Sequence, residues 1–149
     1  MTSGLNYYVE MLKAAREGRS VCIWVNDYKP GEGENVISMT GSFHNLNPGE
    51  QFVLTKVSWA LVSISDSAHF VAGYTSEGFC SGTFNPIHHH HEITTGAAKE
   101  FSSTEDETFY PPMIMKYSDG AKCIAIQADC GDADVEVTVS ICGWVEPET

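Results

Sequence analysis

The sequence predicts a mainly β protein, in which an antiparallel two-sheet sandwich of jelly-roll type follows one N-terminal amphipathic helix. The chain of 149 residues contains 12 Val, 9 Ile and 11 Thr against 5 Leu. Side chains branched at Cβ favour pleated strands over helices. Glycine and proline, 13 and 6 residues respectively, divide the sequence into short runs, as expected of a sandwich. We therefore expect one sandwich domain over residues 19–149, preceded by a helix over residues 1–18 that packs on the domain or extends from it.

The N-terminal helix is predicted from an apolar stripe in the first 18 residues. Leu5, Tyr8, Val9, Leu12 and Ala15 recur at the spacing that places side chains on one face of an α-helix. Two interpretations are open: the stripe covers one side of the protein's own sheet, or it docks on a neighbouring subunit. In the second interpretation, Leu5, Tyr8 and Leu12 are candidate contact residues.

From residue 20 onward the pattern has a period of two, as in half-buried strands. The long apolar run at residues 52–66 changes its apolar face between Lys56 and Trp59, which predicts a β-bulge or a strand that changes sheets. Further strands are predicted at residues 20–26, 36–40, 69–75, 79–84 and 87–93.

The remaining third of the chain begins with a polar segment. Residues 94–108 predict an exposed loop, and strands are then predicted at residues 113–117, 122–128 and 135–145. An acidic turn separates the last two strands, and we expect these two strands to form a hairpin.

Charge excludes two classes of partner. The formal net charge is −12, with 8 basic and 20 acidic side chains, whereas nucleic acids and anionic membranes attract clustered positive charge. No run approaches the roughly 20 apolar residues of a spanning helix, and the N-terminus lacks a basic start followed by an apolar run. We therefore expect neither a nucleic-acid nor a membrane partner, and no export signal.

The five cysteines are odd in number and include no C-x-x-C pair. Most lie inside apolar runs, where a thiol behaves as a small hydrophobic side chain. This pattern predicts unpaired thiols and folding in a reducing compartment, although a bridge between Cys123 and Cys130 stays open.

Four consecutive histidines, His88 to His91, form the most unusual motif. On a strand, His88, His90 and Glu92 share one face and are candidate ligands of a divalent metal ion. The run invites comparison with the cupins, but Thr94 and Thr95 stand where the cupin glutamate belongs. A cupin-like metalloprotein is therefore one alternative, and solvated histidines on an exposed edge are the other. No catalytic set is complete, so we expect no enzyme and no cofactor beyond this metal ion.

Two tryptophans, Trp24 and Trp144, stand on the polar side of alternating runs. An exposed indole can stack on a sugar ring or form a subunit contact, and a covered one packs under another layer. Both residues are therefore candidate contact positions, and a carbohydrate- or receptor-binding sandwich is a second function to test.

Three segments support a family resemblance: the helix at residues 5–17, the run at residues 52–63, and residues 121–127 followed by 135–144. Together they resemble the small β-sandwich structural proteins of tailed bacteriophages, including capsid decoration (cement) proteins and tail or fibre head domains. The resemblance implies a non-enzymatic virion protein that folds in the host cytoplasm and clamps neighbouring subunits of the major capsid protein. It also implies a homotrimer on the capsid surface.

Overall fold

The computed structural model describes residues 4–28, 36–38, 43–63, 67–93, 101–130 and 136–149. Within these ranges, one helix precedes strands that form two antiparallel sheets. The predicted β-sandwich with one helix is confirmed. The elements are α1 (Gly4–Arg16), β1 (Ser20–Tyr28), β2 (Val36–Ser38), β3 (His44–Asn45), β4 (Glu50–Ser63), β5 (Ser67–Thr75), β6 (Phe84–Ile93), β7 (Phe101–Lys116), β8 (Cys123–Cys130) and β9 (Glu136–Pro147).

Sheet A has the strand order β1-β9-β4-β7, and sheet B has the order β2-β8-β5-β6 with β3 beside β8. Every pairing between these strands is antiparallel. The inward-facing side chains of the two sheets form one apolar core, as expected when alternating strands pack face to face. Its largest fully buried members include Phe52, Leu54, Met115, Ile124 and Ile141.

Strand β4 contains the predicted bulge, slightly earlier than expected. The register with both neighbouring strands shifts between Leu54 and Lys56. Against β9, Thr55 is the extra residue. Against β7, the extra residues are on β7 itself, between Thr108 and Met113. Phe52 and Leu54 face the core before the bulge, and Val57 and Trp59 face it afterwards. The hydroxyl of Thr55 donates a hydrogen bond of 3.0 Å to the carbonyl of Cys142 on β9. The bulge therefore keeps apolar side chains inward along a strand whose sequence changes phase.

Strand β7 contradicts the predicted exposed loop at residues 94–108. The residues from Phe101 onward pair with β4, and residues 94–100 lie outside the described part of the chain. β7 is an edge strand of sheet A, where polar outward side chains such as Asp106 and Thr108 are exposed to water while Phe109 is buried. Pro111 and Pro112 lie in the stretch of β7 between Thr108 and Met113 that is not paired with β4, where a missing N–H breaks no ladder hydrogen bond.

Two other strand predictions are wrong. Residues 78–80 form a 3₁₀ turn, and β6 begins only at Phe84. The expected hairpin between the last two strands is absent, because β8 belongs to sheet B and β9 to sheet A. The residues between these two strands, 131–135, lie outside the described ranges.

The predicted unpaired thiols are also wrong. Cys22 on β1 bonds to Cys142 on β9, and Cys80 bonds to Cys123 at the start of β8. The alternative bridge between Cys123 and Cys130 is excluded because Cys123 is already bonded. Partners 120 and 43 residues apart leave no spacing signal in the sequence. Disulfides persist in oxidising surroundings, so the cysteines do not support the expected reducing compartment.

Candidate functional site

Helix α1 lies across one end of the outer face of sheet A. Tyr7 and Ala14 are buried there with Val53 and Trp144, and Met11 packs against this cluster. The ring of Tyr7 lies 5.8 Å from that of Trp144. Burial raises the pKa of Tyr7, although a hydrogen bond with Thr55 opposes the change. No helix in the described ranges is long and apolar enough to cross a bilayer.

The apolar stripe identified in the sequence is on the other side of the helix. Tyr8 is 61% exposed and Leu12 is 63% exposed, and Val9 is exposed beside them. We call these three residues the α1 apolar surface. The interpretation in which the stripe covers the protein's own sheet is therefore wrong for these residues. Tyr7, Met11 and Ala14 form a second apolar face of the helix, and this face packs on the sheet instead. Leu5 lies at the start of α1, and its side chain is outside the described part.

The opposite flank of α1 is polar and borders a groove of about 910 Å³. Its lining includes Glu10, Lys13 and Glu146 beside the apolar Ile114. Lys13 and Glu10 lie 3.6 Å apart and partly neutralise each other. The groove therefore has mixed charge, whereas the α1 apolar surface has none.

The half of sheet A that α1 leaves open presents a row of side chains across all four strands. Trp24 on β1 is paired with Ser140 on β9, Ser140 with Ser58 on β4, and Ser58 with Asp106 on β7. The residues that flank this row along the strands, such as Ile23, Val25 and Val57, are in the core, so the row faces outward. We call it the transverse row.

One end of the transverse row is aromatic and the other is charged. Trp24 is 53% exposed. Asp106, at the far edge, is exposed, and its carboxylate lies 3.4 Å from the ammonium group of Lys56. A hydrogen bond from Ser58 and the charge of Lys56 both lower the pKa of Asp106. The row thus offers an exposed indole, hydroxyl groups and a carboxylate that stays ionised.

The two predicted tryptophan positions have different surroundings. Trp24 is exposed, but Trp144 is 4% exposed, and its indole N–H donates a 2.8 Å hydrogen bond to Glu146. Helix α1 covers Trp144, so the prediction that this residue forms an external contact is wrong. Both residues stand on the outer face of sheet A, and alternation along a strand does not reveal which part of a face another element covers.

The structure places His88 at the edge of the sandwich, facing β7. Its Nε2 lies 3.4 Å from the carboxylate of Glu107, and its ring centroid lies 5.1 Å from that of Phe109. The side chains of His90 and Glu92, the other predicted ligands, are outside the described part. Within the described part, no group of three or more His, Cys, Asp or Glu side chains is arranged to hold a metal ion. The metal site stays a prediction.

Sequence reasoning missed an exposed aromatic turn between β5 and β6. Phe79 is 79% exposed and has a positive φ of 56°. Its N–H donates a 2.8 Å hydrogen bond to the Asn45 side chain, and the next residue, Cys80, is bonded to Cys123. The glycines at positions 78 and 82 mark a turn, and this signal was available in the sequence.

Comparisons with known proteins find low similarity. No protein-family model matches the sequence, and no curated protein matches it either. Among solved structures, a CBM4 carbohydrate-binding module is 11% identical with a TM-score of 0.35, covering 87% of this chain and 84% of its own. A protein of infectious bursal disease virus strain Gx is 11% identical with a TM-score of 0.38, covering 83% of this chain. This chain spans only 33% of that viral chain. The coat protein of Tobacco streak virus is 13% identical with a TM-score of 0.30, covering 86% of this chain and 88% of its own.

Proposed function

We propose that this chain is a non-enzymatic structural protein of a virion, a decoration protein that clamps neighbouring subunits of a major capsid protein. The observation that carries this proposal is the α1 apolar surface. Three neighbouring apolar side chains stay in water on a helix whose other apolar face is already packed. Contiguous exposed apolar side chains are typical of protein–protein contact sites, and aromatic residues are enriched in the centre of such contacts.

The packing of α1 against sheet A supports this role. Tyr7, Ala14 and Trp144 hold the inner face of α1 against sheet A, so the outer face has a fixed position before any partner arrives. A preorganised surface loses less conformational entropy on binding than a mobile one. Tyr8 and Leu12 are therefore suited to contact a protein partner with little rearrangement.

The charge of the chain fits a dense outer layer on a capsid. A protein with a net charge of −12 repels nucleic acid and stays soluble at high local concentration. It thus avoids the packaged genome and depends on apolar contacts to hold the shell. In this role the protein folds in the host cytoplasm and then resides on the virion surface. Once the virion is released, the oxidising medium keeps the two disulfides intact.

Capsid binding is expected to depend on the α1 apolar surface. Replacing Tyr8 and Leu12 together with serine removes two exposed apolar contacts and is expected to weaken binding to undecorated capsids at least tenfold, which is about 1.4 kcal/mol. Co-sedimentation with purified capsids measures the affinity. The control is Phe79→Ser, which removes an even more exposed aromatic side chain elsewhere. Absence of saturable binding by the unaltered protein would contradict the proposal.

We also propose that the protein acts as a homotrimer. The resemblance to capsid decoration proteins, which often bind as trimers at local threefold axes, suggests this state. Three copies carry −36, three times the charge of −12, and repel one another through water. Salt screens such repulsion over a Debye length of about 8 Å at physiological ionic strength. Light scattering is therefore expected to show a trimer whose population grows with salt. A mass of one chain, 16.3 kDa, at all salt concentrations would exclude a stable trimer.

A further inference from the structure

We propose that the transverse row on sheet A is a binding site for a neutral oligosaccharide, separate from the α1 apolar surface that contacts the capsid. The row joins Trp24, Ser140, Ser58 and Asp106 through direct strand pairing. With neighbouring strands about 4.8 Å apart, it spans roughly 14 Å from the indole to the carboxylate. It is a linear strip across the sheet, with both ends exposed and the two serines between them half-buried.

The chemistry of the row matches a sugar chain at both ends. A sugar ring has an apolar C–H face, which packs on an indole, and a rim of hydroxyl groups, which need hydrogen-bond partners. Trp24 offers the indole, with more than half of its surface exposed. Asp106 accepts hydrogen bonds from hydroxyl groups through two oxygens, and an ionised acceptor makes stronger bonds than a neutral one.

The same chemistry argues against a protein as the occupant. The centres of protein interfaces are depleted in serine, lysine and aspartate, yet these residues make up the row and its border beyond Trp24. Both partners of the ion pair between Lys56 and Asp106 are also about half exposed. Covering the pair with apolar groups would therefore desolvate two charges. Hydroxyl groups can replace the lost water, since each both donates and accepts a hydrogen bond.

The charge of the site selects among sugars. An aspartate is ionised at neutral pH, and Ser58 and Lys56 lower the pKa of Asp106 further. The whole chain carries −12. A uronic or sialic acid placed beside Asp106 would meet like charge. We therefore expect uncharged hexose chains to bind and acidic glycans to bind weakly.

An array of immobilised glucan, mannan, galactan and acidic oligosaccharides, followed by calorimetry on the strongest ligand, tests the site. Trp24→Ala is expected to weaken binding about tenfold, the loss of one stacking contact of roughly 1.4 kcal/mol. Asp106→Asn is expected to lower the affinity for the neutral ligand and to reduce the discrimination against acidic glycans. Phe79→Ala, which removes an exposed aromatic outside the row, is the matched control and should bind like the unaltered protein.

Two results would overturn the inference: no neutral oligosaccharide binds the unaltered protein, or one binds equally well to the Trp24→Ala variant. Thermal unfolding of each variant checks that the sandwich is intact, which is expected because both residues are exposed. Capsid co-sedimentation with Trp24→Ala should be unchanged, so failure of the sugar site and failure of the capsid proposal give different results.

Discussion

Replacing Trp144 with alanine is expected to lower the free energy of unfolding by about 4 kcal/mol, because a large buried aromatic leaves a cavity that its neighbours only partly fill. Trp144 is the residue on which α1 rests, through Tyr7 on the helix and Val53 on β4. The substitution also removes the hydrogen bond that Glu146 accepts from the indole N–H. Chemical denaturation measures the loss, and hydrogen exchange should show that α1 amides lose protection first.

The matched control is Trp24→Ala on the same face of sheet A. Trp24 is more than half exposed, so its removal is expected to lower stability much less, by about 1 kcal/mol. Equal losses for the two variants would mean that α1 does not cover Trp144 in solution. If the difference is as expected, Trp144→Ala should also weaken capsid binding, because the α1 apolar surface loses its fixed position.

Replacing both Cys22 and Cys142 with serine is expected to destabilise the protein by about 4 kcal/mol, since the bond restricts the unfolded chain across a separation of 120 residues. The two residues are direct partners in the β1–β9 ladder. Both are at the outer face, Cys22 exposed and Cys142 half-buried, so serine leaves no core cavity. Denaturation midpoints and slopes of the two proteins measure the loss.

Reduction of the unaltered protein provides the control. A dithiol reductant should lower its stability toward that of the double variant and should leave the variant itself less affected, because only the Cys80–Cys123 bond is then broken. Alkylation of denatured but unreduced protein should leave Cys22 and Cys142 unmodified. Modification of both cysteines would show that this bond is absent in solution.

The two proposed surfaces differ because different side chains and elements lie at the two ends of sheet A. At one end, α1 covers Val53 and Trp144 and presents its own apolar residues outward. At the other end, the strands carry short hydroxyl side chains and an ion pair, and Trp24 is the large apolar group. The outer face of sheet A thus carries a helix with exposed apolar side chains at one end and a polar row at the other.

Local patterns in the sequence were sufficient for the fold class and for most strands. Branched residues in alternation specify strands, and a change of phase specifies a bulge, because both depend on neighbouring side chains. The helix was likewise predicted from its own periodicity. The acidic segment around Asp106 misled the prediction, because an edge strand tolerates the same polar residues as a loop.

Tertiary structure decided everything that depends on residues distant in the chain. The choice between the two apolar faces of α1 depended on whether Tyr7 or Tyr8 meets Trp144, which lies more than a hundred residues away. The cysteine pairs and the placement of β8 and β9 in opposite sheets likewise depended on the order of strands across each sheet. A sequence specifies which residues alternate, but burial and pairing are properties of contacts between segments, and those exist only once the sheets have packed.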